Sequence, residues 1–197
     1  GRRWAEGGHV VSYGVRDPND SRHDELRAHA HVAANCDVAE AADLVVLATR
    51  WQQIEGVLSQ MGGALDGKVV VDCINPLKPD ISGLEEGHTT SAAEQIQGWA
   101  PAAKVVKAFN SMGFNIMEDP VLEGRKTVTF VAGDDDGACE TVRGLAQELG
   151  FDVVMIGPLS KARLLEPFAM LWISMAMELG QGREFGFSVV RRQPETS

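Results

Sequence analysis

The chain has 197 residues, with 28 acidic and 18 basic side chains and a formal net charge of −10. That length suits one α/β domain with a substantial core and a modest appendage. So acidic a surface repels nucleic-acid phosphates and anionic lipid, and a composition of 44% hydrophobic and 23% charged residues is that of a folded chain, not a disordered one.

The longest nearly apolar stretch, Phe168 to Met177 with only Ser174 inside it, has about half of the ~20 residues a membrane-spanning helix needs. No basic-then-apolar leader pattern opens the sequence. Cys36, Cys73 and Cys139 are widely spaced and form no CxxC pair, which suits packing in a reducing cytosol better than a disulfide framework or a zinc site. A soluble cytoplasmic protein without a metal centre is expected.

Gly1 to Glu6 reads as helix, closed by Gly7-Gly8, and His9 to Tyr13 as a strand left through Gly14-Val15-Arg16-Asp17-Pro18. A polar helix is expected over Asp24 to His31. Asp43 to Thr49 is a continuous apolar run, the pattern of a parallel strand covered on both faces. Trp51, Ile54, Val57, Leu58 and Met61 have helical spacing. Lys68 to Cys73 is a second buried strand, followed by the loop Asn75-Pro76-Leu77-Lys78-Pro79.

Ser91 with Glu94 is a capping-box pattern opening a helix to Trp99. Lys104 to Phe109 and Thr127 to Ala132 read as strands. Asp134-Asp135-Asp136 opens a helix to Leu149 that stops at Gly150; carboxylates at the positive end of a helix dipole explain the triplet better than a metal site does. Asp152 to Ile156 is the last strand, and a long helix follows from Ser160 to about Leu179. Gln193 to Ser197 read as frayed. This alternation predicts an α/β fold, a Rossmann-like doubly wound, mainly parallel sheet with a helical C-terminal extension. The division expected is a nucleotide-binding domain over 1–156 and a helical segment over 157–197.

Such sheets bind ligands beyond the carboxyl ends of their strands. At the exit of the second strand of a dinucleotide fold, an acid bonds the ribose 2′-hydroxyl and an arginine accommodates a 2′-phosphate. Here Gly14 ends the strand and Arg16 follows. Arg16 suits a phosphate through paired, charge-assisted bonds; the competing reading is a surface arginine paired with Asp17 or Asp20. The remaining loops carry no nucleophile, paired carboxylates or metal motif; the i,i+2 pair His29 and His31 falls on different helix faces. No catalytic side chain is assigned. That suits hydride transfer, in which the cofactor carries the chemistry.

Four segments carry a family resemblance: Val69 to Leu77 (VVVDCINPL), Lys107-Ala108-Phe109-Asn110, Phe130-Val131-Ala132-Gly133-Asp134-Asp135, and Gly157 to Glu166 (GPLSKARLLE). In order and spacing they resemble the NADPH-dependent reductases of the deazaflavin coenzyme F420. The resemblance implies that Gly14, Val15 and Arg16 meet the 2′-phosphate of NADP. It implies that Thr49, Arg50 and Trp51 pass the pyrophosphate and nicotinamide side, and that Asn75 and Pro76 lie beside the nicotinamide. Asn110, Ser111, Met112 and Leu159 are implied at the hydride acceptor. Arg50 stands where relatives more often have proline, and Val15 where they often have a small hydroxyl residue.

Relatives also begin with a strand and a Gly-x-Gly-x-x-Gly turn that holds the pyrophosphate. This sequence starts beyond both, so the strands near His9 and Asp43 are each expected to show an unpaired inner edge. Leu164, Leu165, Phe168, Leu171, Trp172 and Met175 wrap most of the last helix, so burial on more than one side is expected, within the core or against a second subunit. The function expected is NADP-dependent hydride transfer to coenzyme F420 or a similar flat acceptor, in a homodimer. The alternatives are an imine or ketone reductase on the same domain and a non-catalytic Rossmann-like module.

Overall fold

Neighbouring residues of a strand face opposite ways, and in the central strands both ways lead into core. A computed structural model describes residues 1–192. The elements begin with α1 (Arg2–Glu6), β1 (Ser12–Val15), α2 (Asp24–Arg27), β2 (His31–Ala34), α3 (Asn35–Ala41) and β3 (Leu44–Leu47). Next come α4 (Trp51–Met61), β4 (Val69–Asp72), α5 (Ala92–Trp99), β5 (Lys104–Lys107) and α6 (Phe114–Glu118). The chain continues through β6 (Val121–Leu122), β7 (Arg125–Lys126), β8 (Val128–Gly133), α7 (Asp136–Leu149), β9 (Asp152–Gly157) and α8 (Ala162–Ile173).

Five strands form one sheet in the order β3-β4-β5-β8-β9, parallel except where β8 runs against β5. Val70 and Val105 pack with Ile54, Leu58 and Ile96 on one face. Val71 and Val106, one residue on in each strand, pack with Val131, Val142 and Phe151 on the other. Burial on both faces is why these strands read as unbroken valine runs. β1 and β2 pair in parallel as a separate two-stranded sheet. Among the described residues, β1 and β3 are therefore both edge strands, as expected.

Several local expectations are corrected. β1 starts at Ser12, not His9, because its ladder with β2 begins at Ser12 opposite His31, and Val10 before it is 98% exposed. Gly14 and Val15 thus belong to the strand, with Arg16 directly after it. The helix expected to reach His31 ends at Arg27; His31–Ala34 is strand β2, held by β1 and not by any strong pattern of its own. β3 is not covered on both faces, for Val46 is 36% exposed.

The aspartate triplet works as a cap: Asp135 Oδ1 accepts from Ala138 N at 2.8 Å, and Asp134 Oδ1 accepts from Leu159 N at 2.9 Å. The last helix is broken into a turn at Leu159–Lys161, α8 with Pro167 inside it, and a wider π-helical turn at Ser174–Glu178. It buries Leu165, Ala169 and Trp172, yet Leu164, Leu171 and Met177 are each more than half exposed. Among the described residues, burial on more than one side is therefore not found. After it the chain folds back: Trp172 stacks on Phe185 at 5.3 Å, and Val128 N donates to Phe187 O at 2.8 Å. Gln193 to Ser197 lie outside the described residues.

Candidate functional site

The carboxyl ends of β3, β4 and β5 release their loops toward a cleft of about 950 Å³, within the range of small-molecule sites. Val46, Thr49, Arg50 and Trp51 form one wall, and Cys73, Ile74, Asn75 and Phe109 lie at the strand exits. Leu77, Lys78, Pro79 and Ile81 from the loop after β4, with Arg2 and Arg3 of α1 and Phe114 and Glu118 of α6, complete the lining. The lining is mainly apolar with a few basic groups, although the molecule as a whole is acidic.

Each wall has a local cause. The first turn of α4 carries no side-chain cap at Arg50; Gln53 N donates to Arg50 O at 3.0 Å, which leaves the N–H groups of Trp51 and Gln52 to face an anion. Trp51 is fixed by stacking on Trp99 at 5.7 Å. Gln52 Nε2 donates to Leu77 O at 2.6 Å and ties the β4 loop to α4. In that loop Ile81 has φ 62°, a strained conformation for a β-branched residue. Phe109 is also left-handed, with φ 57°, and its N–H donates to Thr129 Oγ1 at 3.2 Å. That turn directs Asn110 back toward β4. Cys73 lines the cleft, but burial pushes its thiol up to about 12, so it is neutral and unreactive at ordinary pH.

Beneath the β4 and β5 exits lies a fully buried ionic cluster. Lys107 Nζ donates to Asp72 Oδ2 at 2.9 Å, to Glu166 Oε1 at 2.8 Å and to Ile74 O, and all three charged side chains have no exposure. Asp72 Oδ1 accepts from Ile74 N at 2.8 Å. Glu166 accepts from Ala92 N at 3.0 Å and Ala93 N at 3.3 Å, at the start of α5. Burial alone would depress the Lys107 ammonium, but its two carboxylate partners outweigh that and hold it above its ordinary value. Burial pushes the Glu166 carboxyl upward against the pull of Lys107. Beside this cluster, Asn110 Nδ2 donates to Asn75 Oδ1 at 2.9 Å and Asn75 Nδ2 to Asn110 O at 2.8 Å. Asn110 Nδ2 also donates to Leu165 O at 2.9 Å. Two strand exits, α5 and α8 are thereby joined.

Arg16 is exposed and makes no ion pair among the described residues, and it does not line the cleft. Asp20, one of the two partners that the competing reading gives Arg16, is taken by Arg22 at 2.6 Å, whose guanidinium holds that carboxyl down at about 2; the other, Asp17, accepts from Asn19 N at 2.9 Å. A guanidinium with no ion pair among the described residues at a strand exit, and an apolar cleft at an uncapped helix start after Thr49, fit a phosphorylated dinucleotide.

The family of NADP oxidoreductases described as coenzyme F420-dependent matches at residues 1–76. A crystal structure from Arthrobacter sp. FB24, provisionally an F420-dependent NADP-reductase, is 35% identical with a TM-score of 0.87, covering 96% of this chain and 92% of that one. The chain belongs to the coenzyme F420-dependent NADP oxidoreductase family. An F420-dependent NADP reductase of Methanocaldococcus jannaschii is 30% identical over 149 residues, 72% of this chain and 65% of the relative. The chain thus spans just under two thirds of that relative's length. An imine reductase of Myxococcus stipitatus in complex with NADP+ has a TM-score of 0.66 at 15% identity, over 91% of this chain and 57% of that one, a likeness of fold alone.

Of the residues that the F420 reductase resemblance singles out, the cleft gathers Thr49, Arg50, Trp51 and Asn75. Gly14 and Val15 sit with Arg16 on β1; a Cβ at Gly14 would lie 2.9 Å from Asn35 Oδ1, so the glycine serves the approach of α3. Pro76 is buried. Asn110 and Ser111 are buried under the strand exits, Met112 is half-buried, and Leu159 lies in the core beside Ala162. Asn110 therefore supports Asn75 from below and does not line the cleft. Sequence reasoning missed the Lys107–Asp72–Glu166 cluster and the walls at Ile81 and Phe114. Two of the three charges did carry a signal: a lysine between Val106 and Ala108 in a buried strand, and a glutamate two residues before Phe168 in an apolar helix. Among the described residues no group of three His, Cys, Asp or Glu side chains is arranged to hold a metal ion.

Proposed function

We propose that this protein exchanges hydride between NADP(H) and the deazaflavin coenzyme F420 or a similarly flat redox acceptor. The observation that carries the reading is Arg16, a guanidinium directly after β1 with no carboxylate partner among the described residues, in a chain of this family. Arg16 would take the 2′-phosphate, the α4 start at Thr49–Trp51 the pyrophosphate, and the floor at Ile74–Asn75 the nicotinamide. The cofactor, when bound, supplies the redox chemistry; the protein supplies grip, orientation and exclusion of water. Trp51 and Phe114 flank the space for a planar acceptor, and Cys73 as a neutral thiol exchanges no proton there.

The segment from Gly157 onward serves in this reading as the acceptor-side wall and the contact with a second copy. Its exposed Leu164, Leu171 and Met177 support the latter. Three free thiols suit the cytoplasm, and among the described residues no helix is long and apolar enough to cross a membrane.

The test is NADPH oxidation followed optically with oxidised F420 as acceptor, and in parallel with a cyclic imine. Turnover with F420 and none with the imine is expected. Turnover with the imine alone would replace this reading with the imine-reductase one, and NADPH binding without turnover of either would replace it with a binding module.

A further inference from the structure

The buried cluster does not balance its charge. One ammonium, Lys107, stands against two carboxylates, Asp72 and Glu166, and none of the three reaches solvent. Every hydrogen bond to the two acids is one that a carboxylate accepts. Every partner of Glu166 is a donor, namely Lys107 Nζ, Ala92 N and Ala93 N. Both partners of Asp72 are donors too, Lys107 Nζ and Ile74 N. A protonated carboxyl needs an acceptor, and none is bonded to either. The cluster therefore holds one net negative charge, offset in part by the backbone N–H groups of α5.

That charge has a fixed place. Asp72 Oδ1 accepts from the Ile74 N–H while Lys107 Nζ donates to the Ile74 carbonyl, and Ile74 with its neighbours Cys73 and Asn75 lines the cleft. The excess anion lies immediately under the cleft floor, where water does not screen it. The charged groups on the cleft itself, the α-amino group of Gly1 with Arg2, Arg3, Arg50, Lys78 and Glu118, are on residues exposed to solvent, which weakens their reach.

We propose that this buried anion selects the oxidised, cationic nicotinamide over the reduced, neutral one and so favours hydride donation from the reduced cofactor. The inference rests on the reading that the nicotinamide lies over Ile74–Asn75. When the reduced ring gives a hydrogen with its electron pair to the acceptor, the ring becomes a cation and the acceptor is reduced by the same two electrons. A fixed negative charge below it is stronger in effect on the product and on the charge-developing transition state than on the neutral ring. A unit charge acting over roughly 10 Å at an effective dielectric of about 20 changes a binding ratio by about tenfold.

The test is calorimetric titration of the 197-residue protein and its Glu166→Gln variant with NADP+, NADPH and 2′,5′-ADP, the last lacking the nicotinamide. Loss of about tenfold in NADP+ affinity, with NADPH and 2′,5′-ADP held within twofold, is expected. Equal weakening of all three ligands assigns the cluster a merely structural part and overturns the proposal, as does no change in any. Asp72→Asn removes the same charge and is titrated identically should Glu166→Gln not fold. Should neither fold, the unaltered protein is compared with NADP+ and the neutral tetrahydro analogue of NADPH, and binding of the analogue as tight as NADP+ overturns the proposal. Failure of the unaltered protein to bind even 2′,5′-ADP instead refutes the nucleotide-site reading, and the inference falls with it.

Discussion

Replacing Lys107 with Met isolates what the buried cation contributes to the fold. The variant keeps the length of the side chain but removes the donor to Asp72, Glu166 and the Ile74 carbonyl. Two carboxylates then remain fully buried, with only the backbone N–H groups of Ile74, Ala92 and Ala93 against them. Removing one partner of a buried ion pair destabilises by about 3–5 kcal/mol, a large part of the ~5–15 kcal/mol that holds a domain together. At about 2–4 °C per kcal/mol for a chain this size, Tm falls by roughly 10–15 °C.

The sign of the pH dependence follows from Glu166. Its folded pKa already lies above the ordinary glutamate value through burial, and it rises further once its cation is gone. A raised carboxyl favours the folded state at low pH, and that advantage is lost as pH rises through the folded value. The deficit of Lys107→Met against the parent is therefore full at pH 8 and smaller at pH 5. Urea unfolding followed by tryptophan fluorescence at both values measures it. A deficit under about 1 kcal/mol, or one equal at the two pH values, would refute the reasoning.

Arg16→Ala should weaken NADPH binding by about tenfold or more, the worth of one charged hydrogen bond, and leave NADH binding within twofold; equal losses on calorimetry would remove Arg16 from the phosphate site. Ile81→Gly relieves the φ of 62° at a residue 39% exposed, so urea unfolding should show a gain of about 1 kcal/mol, and a loss would show that its side chain packs more than it strains. Cys73, with its thiol pushed up to about 12 by burial, should resist iodoacetamide at pH 8 when the labelled peptides are read by mass spectrometry; prompt alkylation would mean that the thiol is far more acidic and exposed.

The central strands were legible because burial on both faces leaves an unbroken apolar run, as in Val69-Val70-Val71. β2 was not, because His31-Val32-Ala33-Ala34 has no such run and is strand only through its ladder with β1. The cap at Asp135 and the one at Ser91, whose Oγ accepts from Glu94 N at 3.2 Å, follow local rules and were readable at local range. Arg16 could be singled out because a strand exit followed by arginine is itself a local pattern. The ionic cluster could not, since residues 72, 107 and 166 meet only after β4, β5 and α8 have packed. The same holds for Asn110, which the resemblance to F420 reductases implies at the hydride acceptor, whereas after the left-handed turn at Phe109 it hydrogen-bonds Asn75. Helical periodicity also overstated burial of the last helix: it reports which positions are apolar, and Leu164 and Leu171 are apolar yet more than half exposed.

The measurement that bears most directly on the account is titration of the 197-residue protein with NADPH and NADH side by side in a calorimeter. The account predicts micromolar binding of NADPH, with NADH at least tenfold weaker. Binding of neither, or of both equally well, would contradict it.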